Sequence, residues 1–189
     1  MRTSHAAVLL ALCLTPLVAH GDDPTSRAPA NNAAVLKVFD AQGRYVGPLV
    51  AFDNEPVATV IEVNGAVIVV PLSRLYTDDQ FSSTQYEWAS SFFPSTYYPT
   101  SDCSGPPFIS GDAPVRPAVT LRSGSVATTY IAADTPSSTL TLHSYGQPGS
   151  CSTLGSSPSV PPVITEEGWT PASTYPLTQN YPEPLTVHY

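Results

Sequence analysis

From residue 34 onward, apolar residues fall in short runs rich in Val, Ile, Leu and Tyr, broken by Gly, Asn, Asp, Ser and Pro. β-Branched and aromatic side chains suit a pleated strand. The chain's 21 prolines leave few stretches long enough for a helix. The pattern predicts strands over 34–40 and 45–50, joined by a turn at Ala41-Gln42-Gly43-Arg44. Pro48 marks the second of these as an edge or bulged strand. The strongest local signal lies at 57–72, where two Val/Ile-rich runs flank Asn64-Gly65. Asn-Gly is the preferred two-residue hairpin turn, because both central residues need positive φ. Such a turn pairs Val63 with Ala66, Ile61 with Ile68, and Thr59 with Val70, all on one face. Val60, Glu62, Val67 and Val69 take the other face, so the hairpin is expected to lie centrally, apolar on both sides.

Further strands are predicted entering Cys103, over 119–132, and over 138–145, with a turn at Gly146-Gln147-Pro148-Gly149. The expected fold is all-β, an antiparallel sandwich or open barrel. Residues 152–189 differ, with seven prolines between Pro158 and Pro184 and little alternation. They are expected to form a Pro-rich extended C-terminal tail, either disordered or running across the domain. Ile164, Trp169, Leu177, Leu185 and Val187 favour partial docking. No internal repeat is visible.

The first 21 residues read as a secretory signal peptide: Arg2 and His5, an apolar run over 6–14, then small residues at Ala19 and Gly21. The run is shorter than the roughly 20 residues a membrane span needs. Cleavage after Gly21 gives a flexible leader at 22–33, a β domain at 34–151 and the tail at 152–189. No later segment is long and apolar enough to cross a membrane. Cleavage also removes one arginine and no acidic residue, taking the net charge from −8 to −9. A surface this acidic disfavours nucleic acid, and no basic cluster exists for anionic lipid.

Removal of the leader leaves Cys103 and Cys151, an even count in an exported chain, and so a predicted disulfide in a secreted or periplasmic compartment. The rival role for Cys151 is a thiol nucleophile with His143, eight residues earlier, as base. No Gly-x-Ser-x-Gly elbow is present, although a triad built on His143 stays open. Glu62, Glu87, Glu166 and Glu167 are the glutamates near aromatic residues that a glycosidase pair would draw on. Asp78-Asp79, with Asp53 or Asp102, is the one calcium-like grouping, and it lacks a calcium-loop pattern. No zinc pattern and no phosphate-cradling glycine loop occur, so no metal or cofactor is expected.

Eight of the 18 aromatic residues lie between Tyr76 and Tyr98. Tyr and Trp offer flat amphipathic area that stacks on sugars or anchors a protein partner. Tyr86, Trp88, Tyr97 and Tyr98 are therefore the candidate ligand-binding residues. The competing reading places these rings in a β core.

Three runs carry a resemblance. Val38-Phe39-Asp40-Ala41-Gln42-Gly43-Arg44-Tyr45-Val46-Gly47 has the form V-x-D-x-x-G-x-x-V-G; Val63-Asn64-Gly65 follows; Thr100-Ser101-Asp102-Cys103-Ser104-Gly105 has the form T-x-D-C-S-G. Together they resemble short secreted bacterial β-rich proteins of uncharacterised role, in which such segments stand beside tail-fibre-like or collagen-like regions. The resemblance spans residues 38–105 and implies a bacterial, β-rich, non-enzymatic module, with no catalytic residue to carry over. The expectation is an exported structural or binding module of the cell envelope or extracellular space, meeting a protein or a cell-envelope polysaccharide. Its rivals are a secreted hydrolase of envelope polymers and an inhibitor presenting the loop 104–112.

Overall fold

In the computed structural model, residues 35–51, 57–91, 96–111, 115–147, 149–156 and 159–189 are described. The expected signal peptide and leader lie outside them. Five strands follow one another as antiparallel neighbours: β1 (Lys37–Phe39), β2 (Tyr45–Ala51), β3 (Val57–Val63), β4 (Ala66–Thr77) and β5 (Gln80–Trp88). The last strand of the chain, β14 (Leu185–His188), enters between β1 and β5. It pairs Val187 with Val38 on one side and Leu185 with Tyr86 on the other, which closes a six-stranded barrel. The barrel is thus closed rather than open, and the Pro-rich segment supplies the closing strand.

Asn64 and Gly65 both have positive φ, 51° and 81°, as the hairpin turn requires. The β3–β4 register is the predicted one, with Val63 opposite Ala66, Ile61 opposite Ile68 and Thr59 opposite Val70. Ile61, Val63, Ile68, Val70 and Leu72 fill the barrel with Val38, Val46, Trp88 and Leu185. Buried Thr59 satisfies its hydroxyl by donating to the Pro48 carbonyl at 3.0 Å. The hairpin is not buried on both sides. Glu62 and Val67 are exposed, and Val60 and Val69 are half-buried. A closed barrel gives each strand one inward face only, which is the physical reason.

Between β5 and β14 the chain builds three smaller sheets. β7 (Ala118–Ser123), β8 (Val126–Ala132) and β13 (Pro171–Pro176) form the first, in the order β13-β8-β7. Its two faces serve different cores. Ala127 and Ile131 join the barrel interior with Leu177 of the short helix α1 (Leu177–Asn180), while Val119, Leu121 and Ala132 join a second cluster with Tyr98 and Ile109. Thr120 and Thr129 stand opposite each other in this sheet, fully buried, and satisfy one another across 2.9 Å. The second sheet is β6 (Thr96–Tyr98), β10 (Ser144–Gln147) and β11 (Ser150–Thr153); the third pairs β9 (Ser138–Leu142) with β12 (Ile164–Gly168). These two enclose Phe108, Leu142 and Leu154.

Ala34–Tyr189 is one compact unit, so no domain boundary falls at 151/152. Residues 164–188 carry β12, β13, α1 and β14, and Leu177 and Leu185 are fully buried. Proline misleads here because its position matters more than its number. Pro171 and Pro176 are the first and last residues of an edge strand, where a missing N–H costs the ladder least. Truncating the anchor of the closing strand, Leu185→Ala, is expected to lower the unfolding free energy by about 3 kcal/mol. Urea denaturation measures this; a wild-type midpoint would show that the Leu185 side chain does not anchor the closing strand.

Candidate functional site

The two motif runs are explained by the fold itself. Val38 and Val46 point into the barrel. Asp40 is buried and accepts hydrogen bonds from the amides of Gln42 and Arg44, each at 2.9 Å, and from Arg44 Nε at 2.7 Å. Burial pushes the Asp40 carboxyl up, but these donors and the guanidinium charge outweigh it and hold it below the usual value. Gly43 takes the left-handed conformation of this turn, at φ 75°. A Cβ on Gly47 would clash with the Val60 carbonyl oxygen. Arg44 also donates to the Asn180 carbonyl and lies 5.8 Å from the Tyr181 ring centroid, tying the turn to the segment after α1.

The second run is a braced turn. Cys103 bonds Cys151 across a Cα separation of 5.8 Å. Asp102 accepts from the Ser104 amide and hydroxyl at 3.1 and 2.6 Å. The Cys103 amide donates to Ser144 Oγ at 3.0 Å, and that hydroxyl donates to the Thr100 carbonyl at 2.7 Å. Thr153 Oγ1 donates to the Ser101 carbonyl at 2.9 Å.

The residues weighed for catalysis are engaged in structural roles or stand apart. Cys151 is oxidised, so it is no thiol partner for His143. Arg122 donates to Glu183 Oε1 at 2.6 Å and to the Trp88 carbonyl at 3.0 Å, and meets Glu87 Oε2 at 3.1 Å. Glu183 also accepts from the Trp88 amide at 2.6 Å. This half-buried clamp joins β5, β7 and the approach to β14. Burial alone would favour losing the Arg122 proton, yet hydrogen bonding to Glu183 and the charges of Glu183 and Glu87 hold it more firmly than usual. Glu62 points outward, and Glu167 accepts from the hydroxyls of Thr139 and Ser137. The loop expected at 104–112 is not presented to solvent over its centre: Phe108 and Ile109 are buried, and Ile109 exchanges two 3.0 Å backbone bonds with Trp169. No group of three or more His, Cys, Asp or Glu suited to a metal occurs among the described residues. Asp53 lies outside them.

The aromatic segment divides into a buried and an exposed part. Trp88 is 0% exposed, and its indole N–H donates to the Tyr181 carbonyl at 3.1 Å. Tyr86 and Tyr98 are buried as well, and Tyr97 is half-buried 6.0 Å from the Tyr145 ring. These four residues are core or near-core, so they offer no stacking platform; inward alternation on β5 and β6 puts them there. Phe92 and Phe93 lie outside the described residues.

The exposed rings are Tyr76 and Phe81, 51% and 71% accessible. They stand directly opposite each other at the end of the β4–β5 hairpin, centroids 4.8 Å apart and planes tilted by 52°. Asp78 and Asp79 make the turn, with φ of 50° and 60°. Between the pairs Arg74–Tyr86 and Tyr76–Phe81, Leu75 alone faces Ser82, Ser83, Thr84 and Gln85, a wide bulge that re-aims the tip. Arg74 staples it, donating to the carbonyls of Ser82 and Ser83 at 3.2 and 2.8 Å while lying 5.1 Å from the Tyr86 ring centroid. Ser82 Oγ accepts from the Gln85 amide at 3.0 Å. β14 reaches no further along β5 than Gln85, so among the described residues no third strand pairs with the tip. The residues Tyr-Thr-Asp-Asp-Gln-Phe contain the signal that sequence reasoning missed: a two-residue turn at Asp78-Asp79 must set the flanking aromatics face to face.

No protein-family model, curated protein or solved structure matches this chain. The candidate site therefore rests on its own geometry: an aromatic pair on a stapled arm, carried by a closed and cross-braced body.

Two measurements check the bracing. Asp40 titrates below its ordinary value of 3.8 when folded, so its stabilisation is complete above that value and fades as pH falls through the lower folded one. Asp40→Asn is expected to lower the urea midpoint at neutral pH, with the two proteins converging as pH falls through the lowered folded value. Parallel curves at all pH values would assign the acid loss to other groups. Replacing both bridge cysteines, Cys103→Ser with Cys151→Ser, is expected to cost about 4 kcal/mol from the loop-closure relation. A loss under about 1 kcal/mol would show that the surrounding hydrogen bonds brace the turn without the bridge.

Proposed function

We propose that this chain is an exported, non-enzymatic binding or structural module of the bacterial cell envelope or extracellular space, and that it meets its partner through Tyr76 and Phe81. The observation that carries this reading is the contrast within one aromatic-rich segment. Tyr86, Trp88 and Tyr98 are spent on cores, whereas Tyr76 and Phe81 are displayed on an arm that the barrel does not need for closure. A solvent-facing aromatic pair costs hydration without adding to the core, and such pairs are the usual anchors of interfaces and sugar sites. The disulfide fits an oxidising compartment, and no helix among the described residues is long and apolar enough to cross a membrane. The leader pattern and the resemblance of residues 38–105 add the secreted or periplasmic, bacterial setting. The partner is a protein or a cell-envelope polysaccharide.

Co-sedimentation of the purified exported protein with insoluble cell-wall material, and surface binding to isolated envelope proteins, test the arm. The double variant Tyr76→Ala/Phe81→Ala is expected to keep the wild-type melting temperature and to lose binding. Trp88→Ala is expected to unfold the protein instead. Undiminished binding by the arm variant would move the contact elsewhere on the surface.

A further inference from the structure

We infer that the arm tip docks a cationic segment of a partner protein, one presenting arginine or lysine side chains to Tyr76, Phe81, Asp78 and Asp79. The inference rests on the arm being the docking site and names the chemistry of what docks there.

Charge bookkeeping over the described residues leads to it. The arginines are turned inward or tied back. Arg44 pairs with Asp40, Arg116 with Asp134 at 2.8 Å, and Arg122 with Glu87 and Glu183. Arg74 spends its guanidinium on the Ser82 and Ser83 carbonyls and the Tyr86 ring. Lys37 is on β1, which β14 separates from β5 in the barrel, and it makes no ion pair with Asp78 or Asp79. Neither Asp78 nor Asp79 makes an ion pair among the described residues, and the single side-chain contact there is the Tyr76 hydroxyl on Asp79 at 3.5 Å. The tip therefore places two exposed π faces beside two unneutralised carboxylates on one tight turn.

Each occupant meets that arrangement differently. A polyanion is repelled by the turn and by the acidic surface as a whole. A second copy of the tip would bring four carboxylates together. A purely apolar surface would strip water from the carboxylates and return nothing. A neutral saccharide satisfies the ring faces and accepts the carboxylates as hydrogen-bond acceptors, but it leaves their charge uncompensated. A guanidinium or ammonium satisfies both parts at once, stacking on a ring and pairing with a carboxylate. The protein's negative field also steers such a partner before contact.

The test uses the full mature protein and a fluorescent short oligo-arginine peptide, read by anisotropy, with an oligo-glutamate peptide and a neutral N-acetylglucosamine oligomer alongside. Asp78→Asn/Asp79→Asn keeps the turn, since Asn tolerates left-handed backbone. Glu166→Gln/Glu167→Gln removes the same charge from β12, on a different sheet. Tyr76→Ala/Phe81→Ala removes the rings. The expected result is oligo-arginine binding that weakens about tenfold or more in the Asp78/Asp79 and Tyr76/Phe81 variants, and less than about twofold in the Glu166/Glu167 variant. Equal weakening by the two acidic variants would reduce the attraction to net charge and overturn the inference, as would no binding of oligo-arginine by the wild type. Binding of the neutral oligomer, lost with the rings but not with the carboxylates, would overturn the cationic partner while keeping the arm as the site. Wild-type affinity for oligo-arginine in the ring variant would overturn both.

Discussion

The structure depends on one insertion: β14 must lie between β1 and β5. Without it, five meandering strands form a sheet with two open edges, and the apolar faces of Val38, Trp88 and Leu72 lack their opposite wall. The approach to that strand is fixed by charge. Glu183, two residues before Leu185, receives the Arg122 guanidinium and the Trp88 amide, so one carboxylate registers the end of the chain against both the barrel and the central sheet. Arg44 does similar work from the other side, reaching past buried Asp40 to the carbonyl of Asn180. The two ion pairs are valuable for where they hold the backbone, since removing one partner leaves a half-buried charge unpaired.

How much of this is readable in the chain follows from the range of each signal. The β3–β4 hairpin is legible because its turn and its register are both set within a few residues of Asn64-Gly65. The disulfide is legible because Cys103 and Cys151 are the two cysteines left once the first 21 residues are read as a leader. Barrel closure is not legible: the partners of β14 lie far back along the chain, at Lys37–Phe39 and Gln80–Trp88, and nothing in Leu185-Thr186-Val187-His188 names them. The proline-rich segment misleads for a related reason. Pro171 and Pro176 are strand ends on an edge, a fact that only the sheet order reveals. The aromatic segment shows density but not phase. Inward alternation holds for Tyr86 and Trp88; the bulge over 82–85 then shifts the phase so that Phe81 stands opposite Tyr76, on a tip that runs past the last β5 residue paired with β14.

The division of labour among charged groups is equally uneven. The described arginines are used to hold backbone in place, at Asp40, Asp134, Glu87, Glu183 and the Ser82–Ser83 carbonyls. Lys37 apart, the charged groups that remain at the described surface are acidic. Both motif-like runs belong to the same economy of structure: Asp40, Gly43, Gly47, Asp102 and Gly105 are spent on turns and close approaches rather than on chemistry. The residues left for contact are those that the fold does not consume, and at the tip of β4 and β5 they are two rings and two carboxylates.

The place of β14 in the chain also orders events in time. Strands β1 to β5 leave the ribosome, or any channel that passes the polypeptide amino end first, well before residues 185–188 follow. Until then the edges of β1 and β5 have no neighbour, and such edges attract pairing with other chains. Folding to the closed state is deferred to the moment when the last strand arrives. Closure of the barrel therefore follows the emergence of residues 185–188 and cannot precede it.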